Sequence, residues 1–406
     1  MTVRDAARSS SERLAHVVPL AAPPVAFPAR AEVAVIGGGI IGSSIAYHLA
    51  EAGVGNVVVL ERDTLGSGSS AKPLGGVRAT FSDAGNVLLG LRSLRAYEEF
   101  EARLGTDIGL RQVGYLFLCR SEDELAAVES SVQLQNRLGC DSRLITPSEA
   151  VELNPLLNAS CLLGASFSPR DGYAEPARVV AGYAAAATRL GVRFCEGTEV
   201  LDITTGADGT HHVTTQIGGL IADTLVIAAG AWSTKLAAQV GVHLPVEPVR
   251  RQIGFTEQLD RPQPTVPFTL DLSTTLYFHN YRNGMLLGIS NRDEEPGFCR
   301  EFSYGWTRAF DSAAAVVAPS LVGQPLVGGW AGLYENTPDH NALIGKAAVP
   351  GVLYATGFSG HGFLQGPAVG EIVRDLYLDR DPFLDPTAFN ADRFGTGALL
   401  TEIHII

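Results

Sequence analysis

Apolar residues follow two rhythms along this chain. In the first, short unbroken runs (Val33-Ala34-Val35-Ile36, Val57-Val58-Val59-Leu60, Thr224-Leu225-Val226-Ile227-Ala228-Ala229 and Val352-Leu353-Tyr354-Ala355-Thr356) read as strands of a parallel sheet buried on both faces. Helical spacing appears beside them. Ile41, Ile45 and Leu49 recur every four residues before Gly53; Val179, Val180, Tyr183 and Ala187 share a face; a last helix is expected around Gly370-Glu371-Ile372-Val373. In the second rhythm, apolar and polar residues alternate over short runs such as Leu276-Tyr277-Phe278-His279 and Met285-Leu286-Leu287-Gly288-Ile289, divided by Arg282-Asn283-Gly284. That pattern predicts antiparallel strands. Residues 84–165 add helices around 86–103 and 122–138 and a strand, Tyr115-Leu116-Phe117-Leu118. No internal repeat is present.

The first apolar run leads directly into Gly37, Gly39 and Gly42, which spell G-x-G-x-x-G between a buried strand and a helix. Glycines there permit a tight turn, close approach of backbone N–H groups to a pyrophosphate, and close helix–strand packing. The second strand ends in Glu61, an acidic group about 20 residues on that suits the hydroxyls of a ribose. Glycines, helix face, second strand and carboxylate together predict a dinucleotide site. Gly42, Ala46, Leu49 and Gly53 extend the pattern in a manner typical of FAD proteins, and the segment Gly66-Ser67-Gly68-Ser69-Ser70 offers further donors past the ribose. A third Gly-rich loop, Gly357-Phe358-Ser359-Gly360-His361-Gly362, stands ready to close over a distant ring. These features favour FAD over a nicotinamide cofactor, the rival reading.

The fold expected is α/β (α+β overall): a Rossmann-type FAD-binding domain of the glutathione-reductase type, capped by a discontinuous, largely antiparallel-sheet substrate domain. Residues 1–30 form a tail. The FAD-binding domain takes 31–83, 172–240 and 340–406, and the substrate domain 84–171 and 241–339.

Composition narrows the partners. A chain of 406 residues exceeds one ordinary core, and a net charge of −13 disfavours nucleic acid. No apolar run reaches the roughly 20 residues that span a bilayer. Five scattered cysteines show no metal-ligand spacing, so reduced thiols, a cytoplasmic location and no metal are expected. Pro19, Pro23 and Pro24 interrupt the apolar stretch near the start, against a secretory signal.

Five motifs in order carry a resemblance over roughly residues 31–380: Ile36-Gly37-Gly38-Gly39-Ile40-Ile41-Gly42; Gly75-Gly76-Val77-Arg78; Val226-Ile227-Ala228-Ala229-Gly230-Ala231-Trp232-Ser233; Thr337-Pro338-Asp339 with Ile344-Gly345; and Gly357 to Phe363. They resemble the FAD-dependent amino-acid oxidoreductase family of D-amino acid oxidase, glycine oxidase, sarcosine oxidase and dimethylglycine dehydrogenase. The last motif is most similar to sarcosine oxidases and to catalytic subunits of dye-linked proline dehydrogenases. The resemblance implies oxidation of a C–N bond in an amino acid, N-substituted amino acid or related amine, with hydride passing to flavin and oxygen or another acceptor reoxidising it. The alternative is an amine or imino-acid dehydrogenase subunit of an electron-transfer complex; a homo-oligomer or heteromeric complex fits either.

Candidate cofactor contacts are Gly37, Gly39, Ile40, Ile41, Gly42, Glu61, Arg62, Ser69, Ser70, Gly76, Val200, Ala229, Gly230, Trp232, Gly360, His361, Gly362 and Phe363. Candidate catalytic residues are Arg78, Arg251, Tyr277, His279 and His361. An arginine fork meets a carboxylate bidentately, which suits Arg78. Arg250 and Arg251 form a doublet with one member expected in solvent. Tyr277 and His279 alternate and so share a strand face. Departures from the sarcosine oxidase pattern are equally specific. Leu286 stands where the oxygen-activating lysine falls, Leu364 replaces a carboxylate-binding lysine, and Gly332 lies near the flavin-tethering cysteine position, so non-covalent FAD is expected. Ala71-Lys72-Pro73-Leu74-Gly75 replaces the residues before the arginine matched by Arg78. Apolar Leu286, Leu364 and Phe363 would suit a bulkier or more hydrophobic substrate than glycine derivatives.

Overall fold

The computed structural model describes residues 26–257, 264–395 and 402. Most of the expected tail, like residues 258–263 and the far C-terminus, lies outside that range. Two eight-stranded sheets organise the described chain. In the first, parallel strands run in the order Val352–Thr356, Gly218–Ile227, Arg30–Ile36, Val57–Leu60 and Arg193–Cys195. Leu343–Lys346 flanks the outer edge antiparallel. Strands Val200–Thr205 and His211–Thr215 form an antiparallel meander with Gly218–Ile227. The all-apolar runs become central strands because both faces are covered; Val57–Leu60 is buried throughout.

Helices Ile40–Glu51, Pro176–Arg189 and Gly362–Tyr377 fill one face through Ile41, Ile45, Leu49, Val179, Tyr183, Val369 and Ile372. Helices Ala84–Glu98 and Phe100–Leu104, expected in the substrate domain, join this same core through Leu89, Leu94, Tyr97, Phe100 and Leu104. The expected boundary at residue 84 therefore divides residues that pack together. Helical spacing shows that a helix has an apolar face but not which sheet receives it. Phe100 meets the Tyr183 ring edge-on at 5.0 Å.

The second sheet runs Leu326–Asn336, Glu247–Thr256, Gly284–Ile289, Leu276–Tyr281, Phe268–Asp271, Tyr115–Cys119, Gly164–Ser168 and Arg143–Ile145. Every pair is antiparallel except Phe268–Asp271 with Tyr115–Cys119. Alternation divides its residues between two faces. Leu276, Phe278 and Leu287 pack with Phe310 and Val317 of helix Thr307–Val317. Tyr115, Phe117, Phe268 and Tyr277 gather on the other side. That aromatic face looks toward the nucleotide sheet and carries the far wall of the site.

The joint between helices 84–104 and the nucleotide core carries a direct test. Phe100→Ala is expected to lower unfolding free energy by about 3–5 kcal/mol, the usual cost of emptying a large aromatic site, measured by urea denaturation.

Candidate active site

The site begins at the turn after strand Arg30–Ile36. Gly37 has φ +109°, and a Cβ there would overlap the Ala228 carbonyl oxygen. A Cβ on Gly42 would overlap the Gly37 carbonyl oxygen. Only glycine lets the strand end, the turn and the first helical turn approach this closely. The N-terminus of helix Ile40–Glu51 thereby faces a cavity with backbone N–H groups that its own turns leave unpaired. Ser70 Oγ accepts from Ile40 N at 2.9 Å. Glu61 accepts from Gly38 N at 2.8 Å and from Asp63 N at 2.9 Å, which fixes its carboxylate on the cavity wall.

That cavity measures about 760 Å³ and runs from Gly37, Glu61 and Trp232 to Tyr277, Gly360 and Phe363. At one end the Arg62 guanidinium lies 3.9 Å from the Trp232 ring centroid, with Phe298 stacked at 5.7 Å. A flat platform beside the Glu61 carboxylate suits an adenine nucleoside. Segment 69–72 crosses the cavity and is pinned to strand Leu326–Asn336: Ser69 Oγ donates to the Leu333 carbonyl at 2.7 Å, and Trp330 Nε1 donates to the Lys72 carbonyl at 2.7 Å. Lys72 packs over Gly332, where a Cβ would stand 2.5 Å from Lys72 Cβ. Glycine cradle, carboxylate, platform and cavity length together fit FAD.

Farther in, Glu335 occupies the cavity wall and accepts from Thr356 Oγ1 at 3.0 Å. The N–H groups of Gly357 and Phe358 also point to it, and its own carbonyl accepts from Ser359 N at 3.1 Å. Glu335 thus ties strand Leu326–Asn336 to the Gly357–Gly362 loop. Burial pushes its carboxyl up to about 7, against those donors.

A smaller chamber of about 40 Å³ adjoins the cavity, sharing Pro73, Leu74, Tyr334, Gly360 and Phe363 with it. Arg78, Tyr115, His361 and Leu364 also line it. Arg78 is buried, lies 4.1 Å from the Phe81 ring centroid, and donates to the Thr80 carbonyl. Its Nη2 lies 3.4 Å from His361 Nε2. A guanidinium has only donors, so that contact makes His361 Nε2 an acceptor. Asp171 anchors the next residues, accepting from Ala79 N at 3.1 Å and Thr80 Oγ1 at 3.0 Å. Burial raises its carboxyl to about 6 while these donors and Arg78 pull it down.

The candidate residues divide by place. Gly37, Gly39, Ile40, Ile41, Glu61, Arg62, Ser69, Ser70, Val200, Ala229, Gly230, Trp232, Arg251, Tyr277, Gly360, Gly362 and Phe363 line the large cavity. Gly42 sits beneath the turn, while Gly76, Arg78 and His361 belong to the small chamber. The Arg251 guanidinium lies 5.3 Å from the Tyr334 ring centroid, whereas Arg250 turns to Glu294 at 2.7 Å. His279 lines neither space. It is buried between Phe268, 4.8 Å away, and Tyr173, 4.6 Å away, and burial pulls it down to about 4. Leu286 likewise lines neither, packed with Ile253 and Tyr277. Lys72, Tyr115, Tyr334 and Glu335 line these spaces and were not among the candidates. Tyr334 and Glu335 stand just before the Thr337-Pro338-Asp339 motif, which was the available signal. Tyr115 had none beyond its strand.

The profile of the FAD dependent oxidoreductase family (DAO) matches residues 32–376. Glycine oxidase of Geobacillus kaustophilus is 31% identical over 90% of this chain and 97% of its own length. Dimethylglycine dehydrogenase of Mus musculus is 28% identical over 96% of this chain, which spans 47% of that longer protein. Among solved structures, L-proline dehydrogenase from P. horikoshii superposes with TM-score 0.86 at 32% identity, covering 92% of this chain and 100% of that one. The chain belongs to the FAD-dependent oxidoreductase family. It is an FAD-binding oxidoreductase, and among the described residues no helix is long and apolar enough to cross a membrane.

Two outcomes test this site. Gly42→Ala is expected to abolish FAD uptake, read by quenching of free FAD fluorescence, because the added methyl overlaps the turn. Folded Glu335 holds its proton up to about 7, against an ordinary 4.5. Folding therefore takes up a proton between those values, and this group's contribution to stability declines as pH rises through that window. Glu335→Gln should raise unfolding free energy at pH 8 by on the order of 1–3 kcal/mol relative to its effect at pH 5.

Proposed function

We propose that the protein oxidises the C–N bond of a small amino acid or N-substituted amino acid to an imine. One observation carries the reading: a buried arginine, Arg78, lines a compact chamber that opens beside the inner end of the cofactor cavity. In a chain with net charge −13, a buried cation at such a place suits a substrate carboxylate. The size of the chamber favours a compact body. It replaces the expectation of a bulky substrate, for which Leu286 offers no wall.

Bound FAD supplies the hydride acceptor. Carbon gives up its hydride as the neutral nitrogen's lone pair forms the C=N bond, and the remaining N–H proton leaves to solvent. Arg78 fixes the carboxylate, with Asp171 holding the Arg78 backbone through Ala79 and Thr80. Leu74, Phe363 and Leu364 exclude water around the reacting carbon. Tyr277 forms part of the inner wall, its hydroxyl donating to the Gln252 carbonyl at 3.3 Å. His361 positions Arg78 and begins helix Gly362–Tyr377.

The acceptor after reduction is the second question. Leu286, buried where sarcosine oxidases carry an oxygen-activating lysine, supports a dehydrogenase, as does similarity to a proline dehydrogenase. Anaerobic bleaching of the FAD-loaded protein with a panel of small primary and secondary amino acids, followed by air, tests both points. Reduction by one of them with slow colour return in air is expected; reduction only by bulky or carboxylate-free amines would refute the reading. Arg78→Lys should lower kcat/KM about 10- to 100-fold by replacing a planar fork with a point charge.

A further inference from the structure

Glu335 brings a buried carboxyl group to the wall of the cofactor cavity, close to the glycine cradle. Its Oε2 lies beside Gly230, where a Cβ would stand 3.4 Å away. Gly230 directly follows Ala228 and Ala229, the residues against which Gly37 closes. Thr356 Oγ1 bonds both Glu335 Oε2, at 3.0 Å, and the Gly230 carbonyl, at 3.1 Å. The carboxyl is thereby tied to the ends of strands Gly218–Ile227 and Val352–Thr356, which pair in parallel. Open parallel sheets hold their ligands at such strand ends.

Its partners among the described residues are neutral: Thr356 Oγ1 and the N–H groups of Gly357 and Phe358. Charged groups on the neighbouring elements are engaged elsewhere. On the paired strand Glu247–Thr256, Glu247 is exposed, Arg250 meets Glu294, and Arg251 packs near the Tyr334 ring. His361 lies on Arg78, Asp339 pairs with Arg393, and backbone amides hold Glu61. Burial pushes the Glu335 carboxyl up to about 7. Once protonated, it still accepts from the amides and offers an O–H besides. FAD brings the negative charge of its diphosphate into the same cavity and displaces water from it. Both effects disfavour a carboxylate further.

We propose that Glu335 takes up a proton when FAD binds, so that the loaded protein carries the neutral carboxylic acid and cofactor affinity falls with rising pH. The proton comes from solvent, and no bond in FAD changes. At low pH Glu335 is protonated beforehand, and binding is insensitive to pH. At higher pH each FAD that enters must recruit a proton, and the affinity that depends on it is lost as pH rises through the range of the loaded form. This linkage concerns cofactor occupancy alone, so it stands or falls independently of the substrate proposed above.

FAD titrated into the flavin-free, full-length protein and followed by fluorescence quenching reads the linkage. The Kd is expected to rise about five- to tenfold between about pH 6 and about pH 8.5, the change that a shift of roughly one unit on binding gives. Glu335→Gln, which fixes a neutral side chain, should give a Kd that is flat across this range. Calorimetry of FAD binding to the wild type, in two buffers of different ionisation enthalpy, should show proton uptake at about pH 8 and none at about pH 5. Thr356→Val removes a donor that favours the carboxylate, and should move the onset of the pH dependence upward. A wild-type Kd indifferent to pH, or proton release at pH 8, overturns the proposal. So does a Glu335→Gln variant that keeps the wild-type profile, because the linked proton then belongs to another group. If that variant does not fold, an onset unmoved by Thr356→Val overturns it equally.

Discussion

Everything in this molecule is arranged around the contact between the Gly37 turn and the end of the neighbouring strand. With no side chains at Gly37 and Gly42, the Ala228 and Gly37 carbonyls come within a distance that a methyl group would occupy. The first helix is thereby drawn onto the sheet, and its N-terminal amides face the cavity. Helix Gly362–Tyr377 then packs on that helix through Gly370, against Ser44 and His48. The same packing sets the start of that helix, and so His361 and Phe363, at the opposite end of the cofactor path. One steric constraint therefore fixes both ends of a long ligand.

The second sheet supplies what the first cannot. Parallel strands buried on both faces leave no apolar surface for a substrate, so the chamber is walled by a sheet with one free aromatic face. Glu335 and segment 69–72 stitch the two bodies together across the cavity by hydrogen bonds to main-chain groups. These stitches position strand Leu326–Asn336, which carries Tyr334, relative to the Gly357–Gly362 loop.

Local pattern made the nucleotide half legible. Unbroken apolar runs became the central strands, and the glycines and Glu61 fell where the spacing put them, because each depends on neighbours close in the chain. Tyr277 and His279 show where such reasoning stops. Both occupy one strand face as alternation required, yet Tyr277 packs over Gly288 and reaches the cavity, while His279 pairs with Leu286 and is enclosed by Phe268 and Tyr173. Their difference is set by partners on other strands. Tyr115 was hidden for the same reason, since its place depends on Phe268 and on a glycine at 76. Helices 84–104 carry an apolar face that any core could have accepted.

Lys72 resting on Gly332 has a consequence for how the protein comes by its colour. A thiol at that position would have to displace the cross-strand segment, and none of the five cysteines lines the cavity. Were the coenzyme held without a covalent anchor, its retention would follow mass action, and the fraction of polypeptide that is loaded would follow the supply of free flavin nucleotide.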